Sequence, residues 1–289
     1  MDRPPFLDTH IHLFDMTHPE LVWSWLAPGV DHPNLGDIDA MKSRKYTLES
    51  FLAESRHANV TKAVHVQAAI GSPDPVTETA WLQEAADRTG FTLGIVADAT
   101  LKSPDVDAVL ERHCEHAGMR GIRDFSDGDY LVDPAFHRGY GLLQRYGLSF
   151  DLDAQWEDLP KARDLARAFP ETTLVLDHTG FPQRRDDEYF ADWRKGMRAL
   201  AEADNAVCKI SGLGMKDMAW TVDSLRPWVL ASIEAFGVER CVFGTNWPLD
   251  RLSSSYPDVL DAYAAIIGDL SPDEQTALRT GNAERVYRI

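Results

Sequence analysis

The sequence predicts an α/β protein in which eight parallel strands and their helices close into a (β/α)8 TIM barrel. Eight short apolar runs of β-prone residues occur along the chain, and helical spacing follows each run at a repeat of roughly 25 to 35 residues. Such alternation requires parallel strands with right-handed crossovers, and eight units close most naturally into a barrel. An open doubly wound sheet is the alternative. Against it, no GxGxxG turn follows the first run, and polar residues recur where several runs end.

The strands and several helix starts follow in order along the chain. The predicted strands are residues 6–12, 63–68, 92–98, 119–124, 148–153, 173–178, 206–211 and 240–246. Asp74-Pro75, Ser103-Pro104 and Asp133-Pro134 each place a capping side chain before a proline, which suits the first helical turn. After the eighth unit, Ser271 and Glu274 have the spacing of a capping box, which predicts an extra C-terminal helix.

One connection is longer than the rest, the long loop after the first strand at residues 13–45. It contains Trp23 and Trp25 and few helical signals. A loop of this length is a lid or binding loop, or its tryptophans pack against the barrel rim. Because all eight units are needed to close the sheet, we expect one barrel domain spanning residues 1–289.

Composition and charge narrow the classes of function. The chain has 289 residues, with 29 Lys and Arg against 46 Asp and Glu, so its formal net charge of −17 repels nucleic acids and anionic lipids. We therefore expect a small-molecule substrate and neither nucleic acid nor a membrane as partner, with a homo-oligomer left open. Three cysteines without a CxxC pair, and no apolar run of about 18 residues or apolar leader, favour a cytoplasmic location.

Three histidines are the candidate metal ligands. His10 and His12 are two residues apart on the first strand, so both side chains leave the same face, which faces the pocket at a barrel strand's end. His178 closes the sixth strand after an apolar run. Three imidazoles in these positions can converge on one ion. The alternatives are a chance HxH pattern on the first strand and a His178 that only caps the following loop.

Six short motifs, each at the end of a predicted strand, carry a family resemblance. They are DTHIH at 8–12, VHVQA at 64–68, GIR at 121–123, LDHTG at 176–180, KISGL at 209–213 and FGTNWP at 243–248. In this order the chain resembles the amidohydrolase superfamily. The closest likeness is to its sugar-acid lactonase branch, which contains fuconolactonase-like, rhamnonolactonase-like and pyrone-dicarboxylate lactonase-like enzymes.

The resemblance implies a hydrolase of carbohydrate catabolism that opens a small lactone, or a related cyclic ester, of a sugar acid or dicarboxylic acid. Some such enzymes hold one divalent metal and others hold none. The resemblance therefore allows one weakly held divalent ion such as zinc, and it also allows a reaction without metal.

The chain departs from this superfamily in three places, of which the smallest is Asp124 after Arg123, where relatives often have histidine. Asn246 stands where the eighth strand ordinarily ends in the aspartate that takes the proton of the attacking water, and the fifth strand lacks a histidine. An amide cannot act as that base and brings no charge to a metal. Two alternatives to hydrolysis therefore remain: metal-independent isomerisation, in which a substrate hydroxyl attacks the ring carbonyl, and a catalytically silent barrel that binds a sugar acid.

Four further side chains are candidate substrate-binding groups. Arg123 ends the fourth strand and can hold a carboxylate or lactone carbonyl through two parallel hydrogen bonds, unless it only pairs with a neighbouring acid. Lys209, inside an apolar strand, either tunes the pocket or belongs to structural ion pairs. Gln67 binds substrate hydroxyls or satisfies buried backbone groups. Trp247 stacks on a sugar ring or packs at the barrel top.

The base that Asn246 cannot supply has several candidates. Asp250, four residues further on, is the first, although an aspartate near a helix start often only caps it. His65, Asp151 and Asp153 are the others. The expected catalytic set is His10, His12, His178, Asn246 and Asp250.

Overall fold

Eight parallel strands pair in chain order around a nearly closed barrel, so the predicted fold class is confirmed. The computed structural model describes residues 3–32 and 35–289. Each strand is hydrogen-bonded to the next along the chain. The strands are β1 (Phe6–Ile11), β2 (Val60–Val66), β3 (Thr92–Asp98), β4 (Met119–Arg123), β5 (Ser149–Leu152), β6 (Leu174–Leu176), β7 (Ala206–Ile210) and β8 (Cys241–Phe243).

The barrel closes between β1 and β8 mainly through side chains. Asp8 on β1 accepts hydrogen bonds from the backbone N–H (2.9 Å) and the hydroxyl (2.6 Å) of Thr245, just past β8. At Gly244, a Cβ would come within 2.8 Å of the Cβ of His10, so this close approach requires glycine. The closure therefore places the segment after β8 directly beside the histidines of β1.

Helices connect the strands on the outside of the barrel. They are α1 (Leu48–Ser55), α2 (Val76–Thr89), α3 (Val106–Cys114), α4 (Pro134–Tyr140), α5 (Leu143–Tyr146), α6 (Leu159–Ala168), α7 (Asp187–Ala201), α8 (Val222–Phe236), α9 (Tyr256–Ile266), α10 (Pro272–Thr276) and α11 (Asn282–Tyr287). No helix in the described parts of the chain is long and apolar enough to cross a bilayer.

Most of the predicted helix starts are confirmed. Asp133 caps α4 and Ser271 caps α10 with its capping box, so the extra C-terminal helix is present. It continues through a π-helical turn, Ala277–Gly281, into α11. At Ser103-Pro104 the helix begins two residues later than predicted: the Ser103 carbonyl accepts from the Val106 N–H in the turn that leads into α3, which begins at Val106.

Seven of the eight strands end one to three residues earlier than predicted, and at β6 and β8 this difference shapes the site. β6 ends at Leu176, where a 3-10 turn begins in which His178 has a φ of 52°. β8 ends at Phe243, and Asn246 has a φ of 59°. Left-handed backbone is costly for residues other than glycine and is concentrated at functional sites. In both places the chain leaves the sheet, and the side chains turn toward the barrel mouth.

The long loop after β1 combines both roles that the sequence left open. Its ends pair as two short antiparallel strands, Phe14–Asp15 and Lys45–Tyr46. Trp23 is buried and packs edge-on against Trp81, whereas Trp25 lines the cavity described below and donates its indole N–H to the Ala68 carbonyl. One tryptophan is therefore a packing residue and the other belongs to the binding loop.

Candidate active site

A cavity of about 260 Å³ opens at the carboxyl ends of the strands. Apolar side chains, mostly from the loops, form part of its wall: Trp25, Ala68, Ile70, Phe125, Phe181, Met215 and Leu249. The polar wall consists of His12, His32, Gln67, Arg123, Asp153, His178 and Asn246. A mostly apolar cavity with a few convergent polar groups, at this end of a barrel, has the form of a small-molecule site.

His12 lines the cavity and faces His10, which lies directly behind it, with their Nε2 atoms 3.1 Å apart. Nδ1 of His12 lies 2.8 Å from the Val66 carbonyl, which can only accept, so this nitrogen carries the hydrogen and Nε2 carries a lone pair. Either Nε2 of His10 carries a hydrogen and donates it to Nε2 of His12, or the Nε2 lone pairs of both rings face a shared cation. Burial lowers the pKa of both rings, so both are neutral near pH 7.

Asp177 and His178 follow β6 and lie beside His10. Nδ1 of His178 is 2.9 Å from the Ser211 hydroxyl, and burial lowers the pKa of His178 to about 3. Gly212 is held at a φ of 60°, and a Cβ there would lie 2.6 Å from this nitrogen. The turn after β7 therefore needs glycine to make room for the His178 ring.

Lys209 lies fully buried beneath the cavity and does not line it. Its ammonium group forms ion pairs with Asp151 and with Asp177 (2.9 Å) and lies 3.5 Å from Nδ1 of His10. Tyr287 of α11 also donates to Asp151, at 2.9 Å. Burial by itself raises the pKa of Asp177, but Lys209, His10 and His178 together outweigh burial and hold that pKa well below the usual range. The sequence left two roles open for Lys209, and in the structure it belongs to a network of buried ion pairs.

Arg123 projects from the end of β4 into the cavity. It donates to the Gln67 carbonyl at 2.8 Å, and its guanidinium lies 3.4 Å from the Asp177 carboxylate. The centroid of the Phe125 ring lies 4.8 Å from the guanidinium carbon. Its ion-pair partner is thus Asp177 rather than Asp124, which accepts from the Leu101 N–H and the Ser126 hydroxyl. Neither amide atom of the Gln67 side chain has a hydrogen-bond partner among the described residues.

Asn246 lines the cavity, and Asp250 lies behind it. The Asn246 side-chain N–H donates to Oδ1 of Asp250 at 2.9 Å, and both residues are buried. Burial raises the pKa of Asp250 to about 7. A carboxylate therefore does stand at the end of β8, but an amide separates it from the cavity.

One group of side chains has the separations that a metal ion requires. One ligand atom from each of His10, Asp177 and His178 lies within 4.8 Å of the other two, and all three residues are buried. Two neutral imidazoles and a carboxylate are donors that suit zinc and similar divalent ions. The site can therefore hold one ion, although Lys209 already pairs with Asp177.

The sequence-predicted site residues fall into three places. His12, Gln67, Arg123, His178 and Asn246 line the cavity, whereas His10, Lys209 and Asp250 lie directly behind that wall. Trp247 is only 1% exposed, its indole N–H bonds Glu54 and its ring packs edge-on against Tyr256. It is a packing residue, so its assignment to substrate stacking is wrong.

Sequence reasoning missed Asp177 as a member of the site. The available signal was a charged residue that ends an apolar strand immediately before His178. His32 at the cavity wall was also missed, because nothing in its local sequence distinguishes it from a surface loop histidine.

Histidines, a carboxylate and an arginine gathered at the carboxyl ends of the strands stand where (β/α)8 barrel enzymes carry their active sites. Comparison with known families specifies the class further: the family model described as Amidohydrolase matches residues 7–289. The chain belongs to the amidohydrolase family, and the protein is a hydrolase of that family.

Individual relatives span nearly the whole chain. It is 40% identical to the uncharacterized protein y4mH of Sinorhizobium fredii, with 98% of each chain covered. It is 30% identical to L-fucono-1,5-lactonase of Burkholderia ambifaria, over 98% of this chain and 95% of the relative. A crystal structure of an amidohydrolase from Burkholderia multivorans with bound zinc superposes with a TM-score of 0.84 at 26% identity, covering 99% of this chain and all of the other. The resemblance noted in the sequence is thus confirmed.

Proposed function

We propose that the protein hydrolyses a small lactone, or a related cyclic ester, of a sugar acid or dicarboxylic acid. The observation that carries this proposal is the convergence of Arg123, His12 and His178 on one cavity of about 260 Å³. That volume is at the small end for ligand pockets and suits a single substituted ring. The likeness to an L-fucono-1,5-lactonase supports the same reaction class.

Each group has a role in this reaction. The Arg123 guanidinium, aimed into the cavity, orients the substrate through its carbonyl or carboxylate oxygens and stabilises negative charge that develops there. The Gln67 amide, without a partner among the described residues, offers a donor and an acceptor to ring hydroxyls. Apolar loop residues such as Phe125 and Phe181 exclude bulk water from the reacting ring.

We further propose that His10, Asp177 and His178 hold one divalent metal ion, with His12 beside them. Such an ion, when bound, polarises the ring carbonyl and lowers the pKa of a water molecule. Lys209 competes for the charge of Asp177, so we expect the ion to be held weakly. The zinc in the amidohydrolase of Burkholderia multivorans supports zinc as the first ion to test.

Asn246 supports lactone isomerisation as a second candidate. Its side chain lines the cavity where the superfamily resemblance places a carboxylate base, and an amide cannot deprotonate water. A neighbouring substrate hydroxyl would then attack the ring carbonyl, and the ring would reclose at a different size.

A panel of sugar-acid lactones and pyrone dicarboxylates tests both candidates. Acid release is followed with a pH indicator, and the products are identified by NMR. Hydrolysis predicts acid release that is lost in His178→Ala and retained in His57→Ala, an exposed histidine far from the cavity. Isomerisation predicts a new ring size without acid release. No turnover of any compound by the wild type, with and without added zinc, contradicts both and leaves a sugar-acid-binding barrel.

A further inference from the structure

We infer that Asp153 is the general base of the hydrolytic reaction, which takes the proton of the attacking water in the place of the absent β8 carboxylate. This inference rests on the proposed lactone hydrolysis.

The position of Asp153 follows from strand alternation. Ser149, Asp151 and Asp153 are two apart, so their side chains share the interior face of β5 at successive heights. Asp151 lies within the barrel, where Lys209 and Tyr287 bind it. Asp153, one step beyond the end of β5, reaches the cavity.

Among the described residues that line the cavity, Asp153 is the only one with a carboxyl group. No hydrogen bond occupies its oxygens within the described part of the chain. The other carboxylates near the site are engaged: Lys209 neutralises Asp151 and Asp177, and Asn246 stands between Asp250 and the cavity. Asp153 is therefore the carboxylate that a water molecule in the cavity can reach directly.

The three histidines of the cavity wall are less suited to this role. Burial lowers the pKa of His32 to about 4, so it is a weaker base than Asp153, and the ring nitrogens of His12 and His178 are engaged. The lone pair of His12 at Nε2 faces the ring of His10 at 3.1 Å, and His178 belongs to the group that can hold the metal. Neither ring therefore has an uncommitted lone pair for water.

The charges around Asp153 support proton transfer near neutral pH. Burial raises the pKa of Asp153 to about 6, while Arg123 opposes this rise and Asp177 adds to it. Burial raises the pKa of Tyr130 on the turn before α4, and the Asp153 charge adds to this rise. A base with a pKa close to the working pH is both unprotonated and strong enough to accept a proton.

In this reaction Asp153 accepts one proton from water and later returns it to the product. The water oxygen attacks the lactone carbonyl carbon while one water proton passes to the Asp153 carboxylate. The bond between the carbonyl carbon and the ring oxygen then breaks, and Asp153 returns the proton to that ring oxygen. The products are a hydroxyl group and a carboxylic acid, and Asp153 is regenerated as the carboxylate.

Asp153→Asn and Asp153→Ala test this role against wild type and Glu157→Gln, an exposed acid four residues further on. For Asp153→Asn we expect kcat to fall at least about 100-fold, with KM changed less than about threefold. The acid limb of the wild-type pH profile near pH 6 should disappear. Added formate, a small carboxylate, should restore part of the activity of Asp153→Ala, while Glu157→Gln should match the wild type.

The contrary outcomes separate the two proposals. If the wild type opens lactones and Asp153→Asn keeps its kcat and acid limb, or changes only KM, then Asp153 is not the base but lactone hydrolysis stands. If the wild type opens no lactone, both the base assignment and the proposed function fall together.

Discussion

The Asn246 side-chain amide donates a 2.9 Å hydrogen bond to the Asp250 carboxylate, and this pair occupies the end of β8 where the superfamily resemblance places a single aspartate. The bond engages one amide hydrogen and leaves the side-chain carbonyl oxygen of Asn246, which does not titrate, for a substrate to contact. It also keeps a buried carboxylate, whose pKa is raised to about 7 by burial, one residue layer behind the wall.

Replacing Asn246 by aspartate, next to the buried Asp250, should lower both the activity and the stability of the protein. Asn246→Asp places two carboxyl groups at hydrogen-bond distance, and their repulsion raises the pKa of the pair further. We expect slower lactone opening, a pH optimum shifted upward and a lower Tm. These are measured by pH-rate profiles and thermal melts.

The double variant Asn246→Asp with Asp250→Asn is the matched control, because it keeps one amide and one carboxylate in the opposite order. It should recover most of the Tm lost in the single variant. If Asn246→Asp instead introduces hydrolysis at the expense of isomerisation, the native reaction is the isomerisation. Hydrolysis unchanged in Asn246→Asp and in Asp250→Asn would show that neither residue takes part.

Substrate recognition should depend on the shape of Arg123 as well as its charge. Arg123→Lys keeps the charge but loses the planar fork that donates to the Gln67 carbonyl and can present parallel N–H groups to a substrate oxygen. We expect kcat/KM to fall at least about tenfold, equivalent to about 1.4 kcal/mol. Arg120→Lys, on the same strand with its guanidinium on nearby carbonyls, serves as the control and should change little. Equal kinetics for Arg123→Lys would assign Arg123 to structure.

Metal binding should be weak and limited to one ion per chain. Elemental analysis after dialysis should find less than one equivalent, and added zinc should raise the Tm, because an ion that binds only the folded state stabilises it. His178→Ala should abolish this rise, whereas His57→Ala should keep it. Tightly bound stoichiometric metal that survives chelation and is essential for turnover would contradict this prediction.

The pH dependence of folding stability should change when Asp250 is replaced. Burial raises the pKa of Asp250 to about 7, so between pH 8 and pH 6 the folded state binds a proton that the unfolded state has already released, and this group adds stability on the order of 1 kcal/mol as the pH falls. Burial lowers the pKa of His10, His12 and His178, and these groups act in the opposite direction, so the prediction concerns the difference between variants. Asp250→Asn should lack the contribution of Asp250, whereas Asp269→Asn, an exposed site with the same change of charge, should keep the pH dependence of the wild type. The same pH dependence of Tm in Asp250→Asn and in the wild type would contradict the raised pKa of Asp250.

We also predict that residues 1–289 unfold as one cooperative unit. The closure between β1 and β8 links the two ends of the chain through Asp8 and Thr245, so removal of either end opens the sheet. Denaturant unfolding followed by fluorescence and by circular dichroism should give coincident transitions. A stable folded half after limited proteolysis would show two domains instead.

Much of the fold could be read from the sequence because its signals are local. Strand and helix periodicity, the Asp133 cap and the Ser271 capping box each depend on residues within a few positions of one another. Such local signals place a helix boundary only to within about two residues, as at Ser103-Pro104, where α3 begins at Val106.

The sequence by itself determined the barrel, the family and the side chains that gather at the carboxyl ends of its strands, since strand alternation and short motifs assign them. Only the tertiary structure decided how these side chains are paired. Lys209 lies 199 positions from His10 and contacts it, and Arg123 reaches Asp177 across 54 positions. Asp250 lies behind Asn246, whereas Asp153 lines the cavity. Burial and the distances between side chains determine these pairs, and the order of residues along the chain does not directly encode burial or distance.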